Sequence, residues 1–76
     1  MEVYIIPMLG DNLCYYVTVN LATTPGIFID VSEPEKAVAF LNAMNVTIEP
    51  TMIMTTHKHH DHSGGNIEMR QIFPNI

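Results

Sequence analysis

Residues 51–73, TMIMTTHKHHDHSGGNIEMRQIF, decide how this chain is to be read. Thr51 to Thr55 is short and rich in β-favouring residues and follows Pro50, so it reads as a strand. Asn66 to Phe73 reads as a short helix stopped by Pro74. Between the two lie all four histidines of the chain, together with Asp61 and the pair Gly64 and Gly65. Imidazole and carboxylate are the ligands that borderline-hard divalent metals accept. A knot of such groups at a strand–helix junction is where metal-dependent enzymes place their chemistry.

The spacing sorts these groups. In extended backbone alternate side chains point the same way, so His57, His59 and Asp61 share one side and Lys58 and His60 the other. His62 falls where the chain turns into the helix, and Gly64 and Gly65 permit a tight turn that leaves open space beside it. His57 and His59 can share one metal, while the adjacent pair Asp61 and His62 is better placed for a second. Paired metals ~3.5–4 Å apart hold one water between them, lower its pKa and polarise a carbonyl or phosphoryl group. Two blander readings stand beside this one. The cluster could be a surface tract that picks up metal adventitiously, although such a tract need not sit between a strand and a glycine-led helix. A structural zinc site would need four ligands closing on one ion, with cysteine the usual contributor. His60 is read as a non-ligand and Lys58 as a solvated charge.

Working outward, Glu2 to Ile6 is a β-rich run closed by Pro7, and Gly10, Asp11 and Asn12 mark a turn. Leu13 to Val19 is a second strand, Asn20 to Gly26 a connecting turn, and Ile27 to Val31 a third strand apolar enough to be buried on both faces. Short turns between three strands predict an antiparallel meander. Ser32 with Glu35 forms a capping box, Pro34 suits a first helical turn, and Ala37, Phe40, Leu41 and Met44 make one apolar stripe before Asn45 ends the helix. The class is α/β or α+β, in one domain without repeats or linker.

Composition narrows the function. With 47% apolar and 14% charged residues the chain is not disordered, and at 76 residues it is one domain at most. So short a chain buries only about 60% of its unfolded surface, which leaves stability marginal. A net charge of −5 with only Lys36, Lys58 and Arg70 as bases speaks against a nucleic-acid partner. Cys14 is the single cysteine, so no internal disulfide forms and a reducing compartment is expected. Pro7 and Asp11 interrupt the first apolar run and no basic segment precedes it, so no signal peptide is read. No apolar run approaches the ~20 residues that span a bilayer. The expectation is a cytoplasmic protein without a membrane partner, a mitochondrial one remaining open.

His57-x-His59-x-Asp61-His62 resembles the H-x-H-x-D-H signature of the metallo-β-lactamase superfamily. Thr55 and Thr56 before it, and Ser63, Gly64, Gly65 and Asn66 after it, are similar to the glyoxalase II branch, the hydroxyacylglutathione hydrolases. Ile5, Ile6 and Pro7 with Leu9, then Asp11 and Asn12, then Tyr15, Tyr16 and Val17 resemble that branch's opening strand, turn and second strand. Asp30 with Glu33 and Pro34 is similar to its acidic strand end before the first helix. One departure is Leu13-Cys14, where the branch usually places an aromatic residue directly after Asp-Asn.

The resemblance implies a metallo-β-lactamase-type αββα sandwich, of which residues 1–76 form a partial domain, the amino-terminal half, incomplete at its carboxy-terminal end. It implies two divalent metals, zinc first with iron or manganese as alternatives, the first held by His57 and His59 and the second by Asp61 and His62. Asp61 also handles the proton of the attacking water, and Asp30 supports the site without being a ligand, or merely bonds nearby backbone. The implied reaction is hydrolysis of an S-acyl glutathione thioester such as S-lactoylglutathione. Three further ligands, two histidines and a bridging aspartate, come from later sequence in that family, as does the glutathione-binding helical region. The 76 residues alone are therefore expected to be inactive, and the inner face of the sheet, with Ile29 and Met52, to lack its partner and favour self-association. Other readings remain: a truncated, non-catalytic remnant that binds metal or associates, a one-iron persulfide dioxygenase, or a nuclease. Low basic content argues against the nuclease, and Asp11-Asn12 favours glyoxalase II over the dioxygenase.

Overall fold

The structure, a computed structural model, describes residues 1–10, 12–56 and 66–76. In chain order the elements are β1 (Glu2–Met8), β2 (Asn12–Thr18), β3 (Ile27–Ile29), α1 (Pro34–Ala43), β4 (Met52–Met54) and α2 (Asn66–Ile72). The four strands form one sheet in the order β1-β2-β3-β4. The first three are the antiparallel meander read from the sequence, and β4 then joins β3 in parallel. A parallel partner needs a crossover connection, which α1 supplies. This mixed sheet with two helices is the α+β class expected.

Alternation along the strands sorts the side chains into two faces. Tyr4, Tyr16, Phe28 and Ile53 lie in register across the sheet on the core face. Tyr16 and Phe28 are fully buried, their ring centroids 4.7 Å apart, and Phe40 of α1 stacks on Tyr16 at 5.5 Å. Ile6, Met8, Cys14, Val31, Ala37, Leu41 and Met69 complete the core, Met69 being the residue by which α2 is anchored. Gly26 precedes β3 directly beneath the Tyr16 ring, where a Cβ would fall 2.6 Å from Oη and 2.7 Å from Cε1. Only a residue without a side chain fits there.

On the opposite face Val3, Val17, Ile27 and Met52 form one row, and Ile5, Tyr15, Ile29 and Met54 the next. Ile5 is 60% exposed and Met52 and Met54 are each 49% exposed. This is the face that carries Ile29 and Met52. The strand β3 is not buried on both sides: Phe28 is buried, while Ile27 and Ile29 are half-buried.

The helix α1 begins differently from the capping box. Its N-cap is Glu33, with Pro34 in the first turn, and no side chain caps it. Ser32 is one residue too early, and its buried Oγ has no partner among the described residues. The Glu33 carboxylate instead accepts a hydrogen bond from the Leu9 amide and pairs with Lys36 Nζ at 3.1 Å, tying the helix start to the β1–β2 turn. The other end is as the sequence indicates. Asn45 adopts a left-handed φ of 56°, its N–H donates to Asn42 O at 3.1 Å, and Val46 N–H donates to Leu41 O at 2.9 Å. That pair of bonds is the Schellman closure, which satisfies carbonyls the helix would otherwise leave orphaned. Met44, last of the predicted stripe, is the C-cap and is 41% exposed, so the stripe ends at Leu41.

Candidate functional site

The parallel strands β3 and β4 end side by side, and the chemistry-bearing segment starts there. In open sheets with parallel strands, ligands gather beyond the carboxyl ends of those strands. At the end of β3, Asp30 takes a left-handed φ of 62° and is only 6% exposed. Its N–H donates to Met54 O at 2.9 Å, extending the β3–β4 ladder by one bond. Its side chain turns along the neighbouring strand end. Thr56 N–H donates to Asp30 Oδ1 at 2.7 Å, and Thr56 Oγ1 donates to Asp30 Oδ2 at 2.6 Å. One carboxylate thus grips both the backbone and the side chain of the residue immediately before His57. Bonds of this length are those expected when the acceptor is charged.

A second tie closes the far end. Asn66 Nδ2, at the start of α2, donates to Thr55 Oγ1 at 3.0 Å. Thr55, just past β4, and Asn66, at the start of α2, are thus held within hydrogen-bond reach, with α2 pinned to the core by Met69.

The predicted ligands His57, His59, Asp61 and His62, with His60 and Lys58, lie outside the described residues, as does Asp11 of the opening turn. Their donor set, imidazoles and a carboxylate, suits a borderline-hard divalent ion. Among the described residues no group of three histidine, cysteine or acidic side chains gathers. Asp30, the one buried acid there, accepts from Thr56 at both oxygens. Cys14, also in the core, is no nucleophile: burial first, and the nearby Asp30 charge second, push its thiol up to about 12. The Glu33 carboxyl is held below its ordinary value, first by the Leu9 amide and then by Lys36. Sequence reasoning missed Thr56 and the Asn66–Thr55 tie. The only available signal was a run of hydroxyl residues, Thr55 and Thr56, at a predicted strand end.

No family model matches the chain. Individual proteins do, along all or nearly all of it. A hydroxyacylglutathione hydrolase from Arabidopsis thaliana, named cytoplasmic, is 33% identical over 76 residues, which is 100% of this chain and 28% of the relative. A hydroxyacylglutathione hydrolase-like protein from Bos taurus is 33% identical over the same span, 38% of its length. A hydroxyacylglutathione hydrolase from Pelagibacter ubique is 37% identical over 71 residues, 93% of this chain and 28% of the relative. Similarity along the whole chain to these named relatives, with the histidine signature in its sequence, marks a chain of the metallo-β-lactamase superfamily. Within it, the chain belongs to the hydroxyacylglutathione hydrolases, the glyoxalase II branch, and corresponds to the amino-terminal part. It spans between a quarter and two-fifths of the length of the curated relatives it matches. Among the described residues no helix is long and apolar enough to cross a membrane.

Proposed function

We propose that these residues supply the first half of a divalent-metal centre that hydrolyses S-acyl glutathione thioesters, with S-lactoylglutathione as the representative substrate. The reading is carried by one observation: similarity to named hydroxyacylglutathione hydrolases runs along the whole chain, through the histidine segment that follows β4. His57 and His59 would hold one ion and Asp61 and His62 the other. Bound there, the ions would acidify a water and polarise the thioester carbonyl. The Asp61 carboxylate would help to take up the proton that the attacking water loses. Asp30 lies outside the proposed coordination set; its carboxylate accepts from Thr56 N–H and from Thr56 Oγ1. The cytoplasm is the compartment that fits the name of the Arabidopsis relative and the single buried thiol.

Two side chains per ion leave each shell half filled, so the metals are weakly held and the water is not activated. Residues 1–76 are therefore inactive by themselves, and turnover needs ligands from further sequence of the kind the longer relatives have room for. The test is S-lactoylglutathione hydrolysis by purified residues 1–76 in excess zinc. No turnover is expected; clear metal-dependent turnover would overturn this reading of the half site.

A further inference from the structure

We propose that the free edge of β1 pairs antiparallel with β1 of a second copy of this chain, Val3 of each copy lying opposite Ile5 of the other. The surface is the edge of the sheet and not its apolar inner face, and it is independent of the metal reading. The bonding pattern locates it. At the two ends of β3, Gly26 O accepts from Thr51 N–H and Asp30 N–H donates to Met54 O, so the even-numbered residues of β3 turn their backbone groups toward β4. Successive residues of a strand bond to opposite sides, so Ile27 and Ile29 bond to β2 through Val17 and Tyr15. By the same alternation Tyr16 bonds to Tyr4, and Cys14 to Ile6. Val3, Ile5 and Pro7 are left with their backbone groups pointing out of the sheet. Pro7 agrees independently, because a nitrogen without hydrogen is tolerated only on the open side of an edge strand.

This edge is closed at its ends and open between them. The next outward amide beyond Pro7, Leu9 N–H, is taken by the Glu33 carboxylate. At the other end Glu2 Oε1 accepts from Leu21 N–H and from the Tyr4 hydroxyl. Among the described residues no hydrogen bond engages the outward N–H or C=O of Val3 or Ile5. Edges are ordinarily guarded by a lysine, a bulge or a proline. From Val3 to Ile6 there is no charge, the register with β2 runs without a bulge, and the proline comes only at position 7.

The edge complements itself in one register, and Pro7 selects it. With Val3 opposite Ile5, both outward N–H groups and both outward C=O groups of each copy are used. Tyr4 then faces Tyr4, an aromatic cross-strand pair. One step away Ile5 faces Ile5 and Val3 faces Pro7, which has no N–H to give, so a Val3 carbonyl on each copy stays unpaired. Charge does not oppose the favoured register: the two Glu2 carboxylates stand roughly 13 Å apart along the strands, beyond a Debye length of about 8 Å. So short an edge buries little area, and the pairing is reversible with concentration.

The test follows full-length protein over rising concentration by sedimentation velocity and by hydrogen exchange of single amides. A dimer is expected to appear. Exchange at Val3 and Ile5 should slow about tenfold when about nine-tenths of the protein is paired, because only the remainder exchanges. The Leu9 amide, already held by Glu33, should not respond. Val3→Pro removes an outward N–H without touching the β2 ladder and should give monomer throughout. Under mild oxidation Tyr4→Cys should cross-link two copies and Ile5→Cys should not, since only position 4 meets its own counterpart within disulfide reach. Cys14 is buried and does not compete. If these variants fail to fold, exchange in the unaltered protein decides. Monomer at every concentration overturns the proposal, whether the two amides exchange freely or are protected by another strand of the same chain. So does a dimer in which both amides keep their rates, for the contact then lies elsewhere, the apolar inner face included. A folded Val3→Pro that still dimerises, or cross-linking at position 5 in place of position 4, overturns it equally.

Discussion

Gly26→Ala adds one methyl group against the buried Tyr16 ring. The new Cβ would meet Tyr16 Cζ most closely, with Oη at 2.6 Å and Cε1 at 2.7 Å, whereas ordinary contact begins at 3.4 Å, so the ring must retreat by more than 0.7 Å. It has nowhere to go. Tyr16 is fully buried, with Phe28 at 4.7 Å on one side and Phe40 at 5.5 Å on another. Forcing a methyl group into a packed core costs about 1–3 kcal/mol. Against that, alanine has less freedom to lose on folding than glycine, which returns about 0.4–1 kcal/mol. The net loss is about 1–2 kcal/mol, and with a urea slope of about 1 kcal/mol per molar for so small a chain the midpoint falls by about 1–2 M. The assay is urea unfolding followed by far-UV circular dichroism, with an excluded osmolyte added to raise the baseline for every variant. Gly10→Ala is the control: its φ of 76° makes alanine unfavourable there, but no atom lies within 4 Å of the added Cβ. In a Tyr16→Leu background the Gly26→Ala penalty should shrink, whereas the Gly10→Ala penalty should persist. A Gly26→Ala penalty that is absent, or the same in both backgrounds, refutes the steric argument.

Three other outcomes are expected. His59→Ala should weaken metal retention, measured by competition with a chelator, more than His60→Ala does; equal losses would mean that the assignment of ligands by strand alternation is wrong. Cys14, buried and with its thiol pushed up to about 12, should react with a maleimide only through unfolding, so labelling should track urea-dependent opening; labelling of the native protein at the rate of a free thiol contradicts this burial. Glu33 has its folded pKa below the ordinary 4.5, so it contributes stability above that value which is lost as pH falls through the lower folded one. Glu33→Gln should flatten the acid limb of a stability–pH profile below about pH 5, and an unchanged limb would show that the Leu9 and Lys36 contacts contribute nothing.

What could be read from the sequence was what local chemistry decides. The turn residues around Gly10 and the aromatic runs located β1 and β2, although β1 runs through Pro7, paired with Leu13, to Met8 instead of closing at the proline; Asn45 marked the end of α1 because its left-handed conformation belongs to few residue types. The start of α1 was harder. Ser32 and Glu33 both precede a proline, and the choice went to Glu33 because Leu9, 24 residues away, engages its side chain. The strands β3 and β4 are shorter than their apolar runs suggested, since ladder pairing stops at Ile29 and Met54. Asp30 could be placed at a strand end but not given a partner. Its partner Thr56 becomes a neighbour only once β4 lies parallel to β3, and no window of a few residues contains that fact. The histidine signature, outside the described residues, suggests metal chemistry because ligand types crowd together in sequence. The contacts at the end of β4 could not be read in the same way, because they are assembled from a distance.

The crossover between β3 and β4 also sets an order of events. The β1–β2 ribbon needs only a short turn to close, and β3 follows it after another short connection. Parallel pairing with β4 must instead enclose the whole of α1, and the entropy of loop closure rises with every residue enclosed. The meander and α1 can therefore begin to pack before β4 arrives, and the Asp30–Thr56 grip is among the last contacts to form. An ion captured by the histidine segment would act after most of the chain has already folded, as a latch on the final strand rather than as a nucleus for the first.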